Sequence, residues 1–160
     1  MRKTKLTIIF LVAVMFVLTG CAKSSQSNST RSHSESTENV QKIVVTINGK
    51  KLKAHLNNSS AARSFAKEMP VTLKFRDFSN MPEKIADMDH ALPIQGMPTG
   101  HAGTKGSIGY WSPQHRIVFY WGMEDYYEGI HIIGKFDSKN YREVIKNMGN
   151  DVNVRIAKAK

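Results

Sequence analysis

The sequence predicts a mainly β fold, a small closed barrel of short antiparallel strands with one helix early and one late. Three observations predict it. The run KIVVTINGKKLKAHL places two alternating segments on either side of Asn48-Gly49. A second group of apolar segments, SIGYW, RIVFYW and IHIIGKF, lies between Ser107 and Phe136, with turn residues separating its members. Two stretches with the spacing of amphipathic helices stand apart from these strands, one between the two groups and one after the second.

In the first run, Ile43, Val45 and Ile47 alternate with Val44 and Thr46, and Leu52, Ala54 and Leu56 alternate with Lys51, Lys53 and His55. Asn-Gly joins them because both central positions of a tight hairpin turn require positive φ. The lysines and His55 mark the wet face. NNSSAARSFAKEMP then reads as a helix with Asn58 or Ser59 as N-cap, Ala62, Phe65, Ala66 and Met69 on one face, and Pro70 as its stop. VTLKFRDF turns Val71, Leu73 and Phe75 inward, with Thr72, Lys74 and Arg76 outward. Residues 77–105 show little periodicity, and one short strand is expected near Ala91 to Ile94. Beyond them Ile117, Phe119 and Trp121 alternate with Val118 and Tyr120. SKNYREVIKNM is a helix capped by Ser138 with Tyr141, Val144, Ile145 and Met148 inward and Gly149 as its stop, and DVNVRI is the last strand.

The N-terminus carries an address. Arg2, Lys3 and Lys5 precede the apolar run Leu6 to Leu18, which is short for a membrane span and ends in small residues. Residues 1–20 are therefore expected to be a signal peptide. LTGC, at Leu18 to Cys21, resembles the lipobox of bacterial lipoproteins, in which the cysteine becomes the first residue and carries a diacylglycerol thioether. Cys21 is the only cysteine, so the resemblance implies a lipid anchor and leaves the domain without a disulfide or a thiol nucleophile. Residues 21–41, rich in Ser, Asn and Thr, are expected to be a flexible tether reaching on the order of 25 Å, and residues 42–160 form one domain. The expected location is the extracytoplasmic face of the cell membrane. The formal charge of +10 falls by three, to +7, when Arg2, Lys3 and Lys5 leave with the signal. Such a basic domain is attracted to anionic headgroups or wall polymers, but its scattered Lys and Arg residues and its location argue against nucleic acid as a partner. A monomer is expected.

VTINGKKLKAHL, MPVTLKF, GSIGYWSPQHRIVFYWG and IGKF together resemble the small bacterial cyclophilin-like domain proteins over residues 43–156. The most specific piece is the Gly-x-Ile-Gly-Tyr-Trp-x-Pro turn with the strand after it. The resemblance implies a cyclophilin-like β-barrel with two helices. It does not extend to prolyl isomerase activity. Cyclophilins polarise the prolyl amide with the Arg of a Phe-His-Arg segment, whereas KFRDF supplies Phe75 and Arg76 without the His, and no Gln-Gly-Gly-Asp segment follows.

No cofactor is expected. Asp87, Asp89, His90 and His101 are ligand types, but no spacing fixes a metal geometry, and MEDYYEG, with Glu124, Asp125 and Glu128, reads as an exposed acidic loop. Ile108, Ile117, Phe119 and Trp121 are assigned to the core. Tyr110, Trp111 and Tyr120 either line a groove or cover a barrel end. The expected function is a lipid-anchored, non-catalytic binding module for a small ligand or an extended peptide, with Arg76, His90, His101, Tyr110, Trp111 and Tyr120 as candidate groove residues. The alternative is a peptidyl-prolyl isomerase acting on secreted proteins with Arg76 as its electrophile.

Overall fold

The computed structural model describes residues 40–160. The expected signal peptide, Cys21 and nearly all of the expected tether lie outside them. The strands are β1 (Gln41–Ile47), β2 (Lys50–Leu56), β3 (Val71–Asp77), β4 (Glu83–Asp87), β5 (Gly100–Ala102), β6 (Ser107–Trp111), β7 (Arg116–Tyr120), β8 (Tyr126–Glu128), β9 (Ile130–Phe136) and β10 (Val152–Lys158). Two helices, α1 (Ser60–Lys67) and α2 (Tyr141–Lys146), complete the fold. Eight strands close into a barrel in the order β1-β10-β3-β4-β7-β6-β9-β2, while β5 and β8 form a separate two-stranded ribbon. This is the mainly β closed barrel with two helices that the sequence predicts.

Local chemistry fixes the elements. Asn48 and Gly49 take φ of 48° and 78°, turning β1 into β2, and Asn48 Nδ2 donates to the Met148 carbonyl. Ser59 caps α1 by accepting from the Ala62 N–H, and Ala61, Ala62 and Phe65 are buried. In α2 the N-cap position is Asn140 rather than Ser138, whose hydroxyl instead accepts from the Lys53 N–H. The strand expected near residues 91–94 is absent, and the long segment contains β4 and β5 instead. Glu, Lys and Asp hide β4 from a hydropathy reading, yet its first four residues are all buried because structure covers both of its faces. Lys84 is the inward one, its Nζ donating to Asp77 Oδ1 at 2.6 Å and to the Gly149 carbonyl at 2.8 Å.

The interior is filled by one parity of each strand. Phe119 is its aromatic centre, stacked on Phe75 at 4.2 Å between ring centroids and meeting Phe136 edge-on at 5.0 Å. Tyr110 also points inward, 1 % exposed, and its hydroxyl accepts from the Leu92 N–H at 2.9 Å, which pins the long segment across the barrel. Trp121 lies just past β7, half-buried, packed on the edge of the core with Lys146 Nζ 5.3 Å from its ring.

Phe119→Ala should therefore cost about 3–5 kcal/mol in denaturant melts, as a core truncation. Tyr110→Phe should cost about 1–3 kcal/mol, because it leaves the buried Leu92 N–H without an acceptor. A cost below 1 kcal/mol for Phe119→Ala would contradict this core.

Candidate functional site

Closing the barrel sends the other parity outward, and on β4, β7, β6 and β9 that parity supplies the apolar residues Ile85, Val118, Tyr120, Trp111, Ile130 and Ile132 beside the charged Glu83, Asp87 and Arg116. The register sets Glu83 opposite Tyr120, Ile85 opposite Val118, Asp87 opposite Arg116, and Trp111 between Arg116 and Ile130. Ile85, Val118, Tyr120 and Ile130 form a second buried cluster against which Trp111 and Ile132 pack. Phe78 and Met81 from the β3–β4 connection, with Glu124 from the segment leading into β8 and Tyr127 on β8, rise around it. They enclose a cleft of about 480 Å³, the size of a small-molecule site.

Tyr120 is seated by two missing side chains. A Cβ on Gly109 would come 2.7 Å from its Cε2, and one on Gly103 would come 2.4 Å from its Cε1, so only glycines let the ring lie between these backbones. Trp111 is held by donation from Nε1 to Gln114 Oε1. At the rim, Asp87 accepts from Arg116 Nε through one oxygen and pairs with Arg76 Nη1 through the other, each at 2.7 Å. These contacts hold the Asp87 carboxyl below its ordinary pKa, the Arg76 hydrogen bond being the largest cause. The Arg116 guanidinium also lies 5.6 Å from the Phe78 ring centroid.

Glu83 and Glu124, each 9 % exposed, line the same cleft, and neither carboxyl has a hydrogen-bond or ion-pair partner among the described residues. Burial pushes Glu83 up to about 7, helped by the charge of Glu124 and opposed by Arg116. Glu124 is raised as well, by burial and then by Asp125. Tyr120, 2 % exposed and with no partner for its hydroxyl among the described residues, is raised first by burial and then by the two glutamates. The site thus joins an apolar and aromatic floor to two desolvated carboxyls, with an ion-paired guanidinium at the rim.

Of the candidate residues, the structure brings Trp111 and Tyr120 into the cleft. Arg76 reaches only its rim, on Asp87. Tyr110 must be corrected from groove to core, because strand alternation turns it to the opposite side of β6 from Trp111. His90 is exposed and bound between Glu68 and Asp89 away from the cleft, which raises its pKa through the Asp89 hydrogen bond first. His101 is exposed on β5, its Nδ1 against the Ala102 carbonyl. In the acidic segment MEDYYEG, Asp125 and Glu128 are exposed as expected, and among its acids Glu124 alone turns into the cleft. Among the described residues, no cluster of three or more His, Cys, Asp or Glu side chains is arranged for a metal. Sequence reasoning missed Glu83, Arg116 and Glu124. The signal for Arg116 was available, because RIVFY is apolar on both parities after its first residue.

The raised Glu83 carboxyl has a consequence for stability. A carboxyl whose folded pKa exceeds its unfolded value favours folding in its protonated form, so its contribution is present below about pH 4.5 and is lost as pH rises through about 7. Allowing for water reaching the open cleft, ionised Glu83 costs the fold about 2 kcal/mol at pH 8. Glu83→Gln should be more stable than the parent by about that amount at pH 8 and about equal to it near pH 4.5. Parallel pH–stability curves for the two proteins would contradict the assignment.

The chain matches the cyclophilin-like family over residues 45–157. Its fold is similar to the solution structure of a hypothetical protein from Archaeoglobus fulgidus, with a TM-score of 0.55 and 11 % identity, covering 75 % of this chain and 95 % of that one. No curated protein matches it. With well over half of its length inside the family match, the chain belongs to the cyclophilin-like family.

Proposed function

We propose that the protein is a lipid-anchored extracytoplasmic binding module whose outer-face cleft holds a small ligand or a short extended peptide without transforming it. The observation that carries this reading is the cleft itself: about 480 Å³, floored by Ile85, Val118 and Ile130, walled by Trp111 and Tyr127, with the polar groups of Glu83, Glu124 and Arg116 converging on it. Anchoring rests on the N-terminal sequence, where basic residues, a short apolar run and LTGC end at the lone Cys21. The membrane lipid attached to Cys21 is then the protein's one covalent partner.

A non-catalytic role is supported by the state of the arginines. An isomerase of the cyclophilin type presents a guanidinium to the prolyl carbonyl, but Arg76 is tied to Asp87 and does not line the cleft, while Arg116 spends its Nε on the same carboxylate. The missing Phe-His-Arg segment agrees with this.

Screening the protein against a set of small aromatic and aliphatic compounds and short peptides should yield binders that Trp111→Ala weakens about tenfold or more. The same variant should change stability by no more than about 1 kcal/mol, since Trp111 lies at the edge of the outer cluster. The protein should leave the isomerisation rate of a prolyl peptide unchanged. Acceleration that is lost in Arg76→Ala would replace this reading with the isomerase. For the anchor, Cys21→Ser should leave the membrane fraction or remain unprocessed, and normal cleavage with unchanged membrane association would exclude lipidation.

A further inference from the structure

We propose that the cleft over β4, β7 and β6 selects an organic monocation, a protonated or quaternary amine on a compact apolar body, whose charge sits between Glu83 and Glu124 while its body lies against Trp111 and Tyr127. This deepens the binding-module reading and rests on it.

The argument begins with where the chain's own cations go. Lys84, next to Glu83 on β4, points inward to Asp77 and the Gly149 carbonyl. Arg76 and Arg116 both converge on Asp87, and Lys146 lies over Trp121. Among the basic side chains around the cleft only Arg116 lines it, and its Nε is given to Asp87, while two glutamates, each nine-tenths buried, have no hydrogen-bond or ion-pair partner among the described residues. Burying an unpaired carboxylate is costly, so a missing positive charge is what this surface is complementary to. The Tyr120 hydroxyl, with no hydrogen-bond partner among the described residues, adds to the cleft lining an oxygen that can accept from an ammonium N–H.

The surroundings say which kind of cation fits. Calcium and magnesium take six or more oxygen ligands and zinc three or four His, Cys or carboxylate ligands, whereas the cleft offers two carboxyls among Ile85, Val118, Ile130 and aromatic rings. A weakly hydrated organic cation gains instead from apolar walls and from the ring quadrupoles of Trp111, Tyr127 and Phe78. The groups that share the cleft with Glu83 are Arg116 and Tyr120 on β7, Glu124 before β8 and Tyr127 on β8, and the charges that act on it are Glu124 and Arg116. Only Arg116 among them is positive, and Asp87 compensates it. Near neutral pH the Glu83 carboxyl is partly protonated, so an entering cation displaces a proton from it.

The test is titration calorimetry on the full chain in a non-ionic maltoside detergent at pH 8, with three probes of matched shape: phenethylammonium, 2-phenylethanol and 3-phenylpropanoate. Phenethylammonium should bind at least about tenfold more tightly than the other two, and Glu83→Gln/Glu124→Gln should reduce that preference to within about twofold. At pH 7, buffers of different ionisation enthalpy should reveal proton release on binding to the parent protein and none in Glu83→Gln, a single variant that serves equally if the double one does not melt cooperatively. If the alcohol or the carboxylate binds as tightly as the amine, and Trp111→Ala weakens it, the cleft is a binding site but cation selection is wrong. If none of the three probes binds, the cation proposal falls and the binding-module reading beneath it loses its support. A preference for the amine that survives both glutamine substitutions also overturns the assignment to these carboxyls.

Discussion

Barrel closure is the constraint on which everything else depends. Once β2 pairs with β9 and β1 with β10, each strand has one face turned to a sealed interior, and the period of two along the backbone decides which side chains enter it. A shift of one residue in β7 would exchange Phe119 for Tyr120 and Ile117 for Val118. The interior fixes the register because Phe119 must meet Phe75 and Phe136 there. The outer apolar layer is then a consequence: Val118, Tyr120, Ile85 and Ile130 are placed outside, where only the β3–β4 connection and the segment around β8 can cover them. That cover is incomplete, and the gap is the cleft.

The same constraint accounts for what could be read from the sequence. Alternation with an Asn-Gly turn identified β1 and β2, and the inward set of β7 placed Ile117 and Phe119 correctly, because in these segments hydropathy follows the strand period. It could not separate Tyr110 from Trp111. Both are large and amphipathic, and only the pairing of β6 with β7 and β9 assigns one to each side. β4 escaped notice because the pattern GluLysIleAlaAsp buries charge on both faces, and those charges make sense only after Asp77, Gly149 and the cleft are in place. Glu124 was read as solvated for a related reason. Its neighbours Asp125 and Tyr126 are exposed, and nothing local marks it as the residue that turns inward.

Electrostatics separates the two arginine-rich and acid-rich ends of this outer face. At the rim, one carboxylate satisfies two guanidiniums in partly exposed surroundings, which costs little and orients Arg116. Deeper in the cleft, Glu83 and Glu124 have neither an ion-pair partner nor a hydrogen bond among the described residues, and replacing them would relieve the fold of a desolvation cost. Features that weaken a fold and converge on one cavity are better explained by what they bind than by what they stabilise. The basic charge of the chain as a whole makes this local acidity the more distinctive.

The central claim is that the outer face of β4 and β7 carries at Glu83 a largely buried carboxyl with no partner among the described residues. Its most direct test is a carbon-detected NMR titration of the Glu83 side-chain carboxyl in the full chain. An apparent pKa of about 7, which falls toward the ordinary carboxylate value in Glu124→Gln, is the result this account predicts. A value near 4.5 in the parent protein, unmoved by that substitution, would mean that water or an unrecognised partner already satisfies the group, and would contradict it.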